Sequence, residues 1–163
     1  MARQFSLVAQ AKPVSTMAPA TDAAGRTGSY VSLKNAHKAY VVAHITQGNA
    51  ATIALSLSQA VTVAGGSAKA VSATFPIWSN LDIAAGDTLV SRTAAASYTT
   101  DAGVKNKVVI FEITPEAALD VANGFDCVAL VTGASDAANI TSAQIFVVPG
   151  RYQQATPPSG VSD

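Results

Sequence analysis

The segment from Ala39 to Ala60 constrains this chain more than any other. Ile53, Leu55 and Leu57 alternate with Thr52, Ala54, Ser56 and Ser58, a period of two that belongs to a strand with one buried face. Ahead of it, Val41, Ala43 and Ile45 alternate with Tyr40, Val42, His44 and Thr46, so one face is apolar and the other mixed. Between the two runs, Gln47-Gly48-Asn49-Ala50 supplies residues that tolerate positive φ, and the spacing predicts a tight hairpin. A core built on such strands is a sheet.

The rest of the chain repeats the theme. Ser29 to Leu33 reads as a first strand and Lys34 to Lys38 as a polar turn; Val61 to Val63 continues the strand before it or begins a new one, up to Gly65-Gly66. Lys69 to Trp78 alternates weakly until Pro76, which cannot donate to a ladder and marks an edge or a strand end. Leu81 to Asp87 reads as a turn, Thr88 to Thr93 as a short strand and Ala94 to Gly103 as a polar connection. Lys107 to Thr114, Phe125 to Thr132 and Ile140 to Val148 are the strongest later strands. Thr114-Pro115-Glu116 carries the marks of a helix start, with Thr as cap, Pro in the first turn and Glu near the positive end, and Gly124 closes it one or two turns on.

These elements predict an all-β fold, an antiparallel β-sandwich or jelly roll of about seven to eight strands with one short helix. Periodicity does not choose between the two architectures. No internal repeat of fixed period is found. Residues 1–28, with the apolar patch Phe5 to Val8, two prolines and two glycines, read as an extended N-terminal arm. Residues 29–150 form the domain, and residues 151–163, with Pro157-Pro158, an extended C-terminal tail.

Composition enters where the surface is concerned. Charged residues make up 12% of the 163, about half the share usual in soluble domains, while 49% are hydrophobic. A surface so poor in charge is expected either to touch other protein over a large area or to be weakly soluble alone, and it reads here as an assembly surface. The formal net charge is zero, which gives no electrostatic case for nucleic acid or an anionic membrane as partner. The charge is uneven, however: residues 1–40 hold five basic groups and one acidic, a net +4, and the remainder five basic and nine acidic, a net −4. A basic leading segment on an acidic body could pin the arm to an acidic neighbour, or to a second copy of the same body. The single cysteine, Cys127, sits in an apolar strand and reads as a small buried hydrophobe. The apolar run near Met1 is too short for a signal-peptide core or a membrane span, so a cytoplasm, or a particle assembled there, is the expected location.

Chemistry is sparse. His37 and His44, the two histidines, stand seven apart with no neighbouring Cys, Asp or Glu, and read as a turn and a strand-surface histidine. No nucleophile elbow accompanies them. Carboxylate pairs could be drawn from Asp82 and Asp87 or from Glu112 and Glu116, but the first pair lies in turn-like sequence where aspartate favours local backbone bonds. Gly65-Gly66-Ser67-Ala68-Lys69 lacks the spacing of a phosphate loop. Trp78, Tyr98 and Tyr152 are the aromatic residues a sugar platform would use, though Trp78 reads sooner as a core or oligomer residue. The expectation is a protein without catalytic residues, cofactor or metal.

At Leu119-Asp120-Val121-Ala122-Asn123-Gly124-Phe125-Asp126-Cys127-Val128 the sequence resembles a phrase found in small structural proteins of tailed bacteriophages. The similarity extends to Ile140 to Val148 with its exit Pro149-Gly150-Arg151-Tyr152, and to Tyr30 to Ala60, so it covers about residues 29–152. The family is that of capsid decoration, or cement, proteins. Resemblance implies a β-sandwich or jelly-roll module that sits as a homo-oligomer, dimer or trimer, on the exterior of an icosahedral virion and clamps neighbouring subunits of the major capsid protein, stabilising the capsid, with no nucleic acid or membrane partner. Position and charge then nominate Arg3, Phe5, Lys12 and Arg26 of the arm and Arg151 and Tyr152 of the tail as interface residues. Two alternatives stay open: another virion component, such as a head fibre base or tail protein, and a carbohydrate-binding β-sandwich using Trp78 and Tyr98.

Overall fold

Alternation with a period of two survives into three dimensions as two stacked antiparallel sheets. The structure, a computed structural model, describes residues 6–149 and 160–161. In chain order its strands are β1 (Lys12–Thr21), β2 (Arg26–Thr27), β3 (Val31–Ser32), β4 (Ala36–Gln47), β5 (Ala54–Ala60), β6 (Lys69–Ala70), β7 (Phe75–Asn80), β8 (Val90–Ala95), β9 (Ser97–Thr99), β10 (Asn106–Ile113), β11 (Cys127–Thr132) and β12 (Asn139–Pro149). One sheet runs β1-β12-β4-β10-β7-β8; the other runs β2-β11-β5-β6, with β3 also on β11 and β9 also on β5. The helical elements are two single turns, α1 (Leu7–Gln10) and α2 (Pro115–Ala118), and a 3-10 turn over Val121–Asn123. The fold is thus the expected all-β sandwich.

The core lies between the sheets. From the first come Val41, Ala43 and Ile45 of β4, Val109, Phe111 and Ile113 of β10, Phe75 and Ile77 of β7 and Ile145 of β12; from the second come Leu55, Leu57, Val128 and Leu130. Phe75 meets Phe111 edge to face, ring centroids 5.6 Å apart. Each side chain of this size contributes roughly 1.5–3 kcal/mol by leaving water.

Several expectations change: Ala94 to Gly103, expected as a connection, holds the end of β8 and all of β9, and β4 already begins within the expected turn Lys34 to Lys38. The segment Gln47 to Ala50 does not close a hydrogen-bonded hairpin: β4 and β5 belong to different sheets, and residues 48–53 carry the chain from one layer to the other. That crossing is held by side chains, Gln47 Nε2 donating to the carbonyls of Ala51 and Asp101, and Asn139 Nδ2 to that of Ala51. Both strands bury one face, so the period was right while the pairing partner was not encoded in it. Val61 to Val63 lies in a turn closed by Val61 N–H on Gly66 O and Gly65 N–H on Thr62 O. Within the expected arm, residues 12–21 are extended but docked as edge strand β1 on β12, with Met17 in the core. Pro76 lies inside β7, which β8 covers; the register of the β7–β8 pair slips between Phe75 and Ile77, where the proline stands.

Registers gather residues 22–25, 48–53, 81–89, 100–105 and 133–138 at one end of the sandwich, and two buried polar clusters hold that end. Asp22, fully buried, accepts from Thr132 Oγ1 at 3.0 Å, Thr141 Oγ1 at 2.5 Å and the Arg26 guanidinium, and so joins β1 to both sheets. The second cluster centres on Lys107, whose buried ammonium donates to Gln47 Oε1 at 2.8 Å, to the Asp101 carbonyl at 3.0 Å and to the Asp101 carboxylate.

Candidate interaction surface

Because side chains alternate across a strand, the residues between the core positions of the first sheet face away from the core. Register places Trp78, Ile110, Val42 and Gln144 in one row across β7, β10, β4 and β12. Asn80, Val108, His44 and Ser142 form the row beside it, and Glu112, Tyr40 and Phe146 the row on the other side. Trp78 is 37% exposed, and Val42, Tyr40, Val108, Ile110 and Phe146 are each partly open to solvent. Six large apolar side chains thus share one sheet face with no element of the described chain laid over it.

The opposite sheet is finished differently. The outward positions of β11 are Cys127, Ala129 and Val131, and those of β5 facing them are Ala60, Ser58 and Ser56. These are small residues, and Tyr30 lies among them with its hydroxyl 2.8 Å from Ser58 Oγ. Cys127 and Ala129 are fully buried as a result. One outer face is therefore closed by the chain itself, while none of the described residues is laid over the other.

Electrostatics sharpen the contrast. Among the described residues, this face carries one ion pair, Lys38 with Glu112, between adjacent strands. The hydrogen bond to Glu112 raises the Lys38 ammonium above its ordinary value, and the ammonium also stands 5.8 Å from the Tyr40 ring. With those charges matched internally, a partner for this face needs apolar area rather than compensating charge.

The specific phrase Leu119 to Val128 proves to be a structural turn. Asp120 N–H donates to Gln59 Oε1, its carboxylate accepts from Lys69 and Asn123, and Phe125 N–H returns to the Asp120 carbonyl. The Lys69 ammonium lies 4.0 Å over the Phe125 ring. Gly124 takes φ +83°, a left-handed conformation natural to glycine. Lys69, followed by Asn123, holds the Asp120 carboxyl below the usual carboxylate range.

Of the residues nominated as interface, Arg3, Phe5, Arg151 and Tyr152 lie outside the described residues. Lys12 opens β1, opposite Val147. Arg26 is committed to its own fold, donating to Asp22 and to the carbonyls of Ala18, Ala20 and Thr141. Trp78 and Tyr98 do not share a platform: Trp78 faces out from β7, while Tyr98 belongs to β9 on the other sheet and packs against the core with its hydroxyl 3.4 Å from Ser79 Oγ. Asp82 is paired with Lys105 and Glu112 with Lys38. No group of three His, Cys, Asp or Glu that could hold a metal occurs among the described residues, and none of their helices is long and apolar enough to cross a membrane. Sequence reading found Tyr40, Val42 and His44 as a mixed face but could not unite them with Trp78, Ile110 and Phe146, because strand order does that.

No family model matches the chain, and no curated protein matches it. Among solved structures it is similar to the SPBc2 prophage-derived protein YomS, with 11% identity over 84% of this chain and 92% of that one and a TM-score of 0.46. It is also similar to a protein of Bacteroides thetaiotaomicron provisionally described as sugar binding, with 8% identity over 77% and 65% and a TM-score of 0.31. A chain of Desmodium yellow mottle tymovirus gives 12% identity over 90% and 92% with a TM-score of 0.14. At these values the likenesses carry no assignment of function.

Proposed function

We propose that the protein is a structural component of a tailed-phage virion, a decoration or cement protein that binds the outside of an icosahedral capsid and clamps neighbouring major capsid subunits. The observation that carries this reading is the face of the first sheet that no described residue covers, on which Trp78, Ile110, Val42, Val108, Tyr40 and Phe146 stand together beside the matched ion pair of Lys38 and Glu112. Supporting it are a composition poor in charge and the resemblance of Leu119 to Val128 to small phage structural proteins. Many copies on one lattice turn a modest contact into avidity.

Co-sedimentation of the purified protein with capsids that lack it is the direct test. Binding that saturates at a fixed ratio to capsid subunits is the expected outcome. Absence of the protein from purified virions removes the reading, and its detection on tails alone transfers it to another virion part.

A further inference from the structure

A strand at the rim of a sheet carries a row of amide and carbonyl groups that pair with whatever strand comes beside it, and this chain closes its rims one by one. On β1, Arg26 Nη1 and Nη2 donate to the carbonyls of Ala18 and Ala20 at 3.0 and 2.9 Å, and Ser29 N–H donates to that of Thr16 at 2.8 Å. On β3, Ser32 N–H donates to the Gly160 carbonyl. In the second sheet β2 and β6 are two residues long and β9 three, too short to template a ladder. β8 is the exception. It has six residues at the rim of the first sheet, and among the described residues nothing but β7 bonds to its backbone.

The side chains of β8 suit a neighbour. The strand holds no proline, and its one charged residue, Arg92, lies in the row of the buried Ile77 with Nε donating to Ser79 Oγ at 2.7 Å, so pairing does not strand it. Val90, on the same inward side, is 46% exposed with no strand beyond it, and Leu89 just ahead is 43% exposed. On the outer side Ser91 continues the row of Trp78, Ile110 and Val42.

We infer that β8 pairs antiparallel with β8 of a second copy, about a two-fold axis that passes between the two Ser91 residues and stands normal to the sheet. The strand itself sets the occupant: two identical strands satisfy an antiparallel ladder, so an open edge is its own complement. The side chains set the axis. Centred on Arg92, the pair opposes two like charges. Centred on Ser91, it opposes two small hydroxyls, lays Val90 beside the aliphatic stem of the partner's Arg92, and leaves the register slip between Arg92 and Ala95 at the ends of the ladder. Such an axis keeps both open faces on one side of a continuous sheet, so that two copies meet one surface together. That corollary rests on the capsid reading, while the pairing does not.

The experiment is sedimentation equilibrium of the full chain and of Ser91→Lys and Ser91→Asp, alone and mixed in equal amounts, with oxidation of Ser91→Cys beside it. The parent is a dimer. Lysine or aspartate on the axis sets like charges directly opposite and raises the dissociation constant roughly fivefold, and the equal mixture, in which lysine faces aspartate, returns to the parent's value. Ser91→Cys links into a disulfide dimer, since Cα atoms directly opposite in an antiparallel pair stand about 4.5–5.5 Å apart, within disulfide range. Ala68→Cys, exposed near the other rim, does not, and the buried Cys127 leaves the parent unlinked. All variants keep the parent's far-ultraviolet circular dichroism, Ser91 being exposed. A monomeric parent overturns the inference and gives the edge to a strand of another protein. An oligomer that Ser91→Lys and Ser91→Asp leave unchanged, a mixture no tighter than either alone, or linking of Ser91→Cys no faster than of Ala68→Cys overturns it as well. No capsid enters these measurements, so their failure is distinct from failure of the capsid reading.

Discussion

Lys107 and Asp101 form an ion pair whose members stand in opposite surroundings, and that asymmetry fixes how the pair responds to mutation. The Lys107 side chain is 0% exposed and the Asp101 side chain 54%. Removing the aspartate in Asp101→Ala leaves a buried ammonium with Gln47 Oε1 and the residue 101 carbonyl as acceptors and no counter-charge. An uncompensated buried charge of this kind costs about 3 kcal/mol or more. Removing the lysine in Lys107→Met has a different consequence: the exposed carboxylate is hydrated, Gln47 Oε1 keeps the Thr100 hydroxyl at 3.0 Å, and the methionine fills the site with apolar atoms. The lost charged hydrogen bonds, worth about 1.5–3 kcal/mol, are largely offset by the desolvation no longer borne, so the net change stays within about 1 kcal/mol. Urea unfolding reads both. With a slope of about 2 kcal/mol/M, the midpoint falls by about 1.5 M in Asp101→Ala and by no more than about 0.5 M in Lys107→Met. Equal losses, or a larger loss in Lys107→Met, would show that the carboxylate is the buried partner in energetic terms and that the reasoning from exposure is wrong.

Two further outcomes follow from named positions. Gly124→Ala puts a side chain at φ +83° in open space, so strain alone acts and costs about 1 kcal/mol; Gly25→Ala at φ +71° also sets its Cβ 2.7 Å from the Thr132 carbonyl oxygen and costs more, an order that thermal unfolding of the two variants checks. Asp82, Asp101 and Asp120 are each held below their ordinary value of 3.8, chiefly by hydrogen bonds from Lys105, Lys107 and Lys69, so their contribution is fully present above that pH and is lost as pH falls through the lowered folded values. The urea midpoint therefore declines below about pH 4, and Asp101→Asn makes that decline shallower.

How far the fold was legible depends on what each residue could report. Alternating Leu, Ile and Val located β4, β5, β10, β11 and β12, and Thr114-Pro115-Glu116 with Gly124 bounded the helical stretch of α2 and the 3-10 turn, while α1 at Leu7–Gln10 was not foreseen. Alternation reports that a strand buries one face; it does not name the neighbour, which is why β4 and β5 read as a hairpin although they lie in separate sheets. β1 was hidden because Pro13, Pro19 and small residues resemble a linker, yet an edge strand tolerates proline and absorbs irregularity, here register slips between Ser15 and Met17 and between Met17 and Ala20. Asp22 and Lys107 gave no signal at all, since each needs a partner 60 or more residues away along the chain beside its local one, Gln47 for Lys107 and Thr132 for Asp22. The open face was half visible: Tyr40 and Val42 on the mixed side of β4 announced it, but only the order β7-β10-β4-β12 brings Trp78, Ile110 and Phe146 beside them.

The most direct measurement of the central claim is co-sedimentation with capsids lacking the protein, comparing the parent with Trp78→Glu and Val42→Glu. Both substitutions set a charge on the open face of the first sheet, at solvent-reachable positions outside the core. If that face docks on the capsid, both variants fold, judged by unchanged far-ultraviolet circular dichroism, and lose saturable binding by roughly a hundredfold, since a charge desolvated at an interface is costly. Binding of both folded variants at the parent's affinity and ratio would contradict the account, because the face with the exposed tryptophan would then have no part in the assembly.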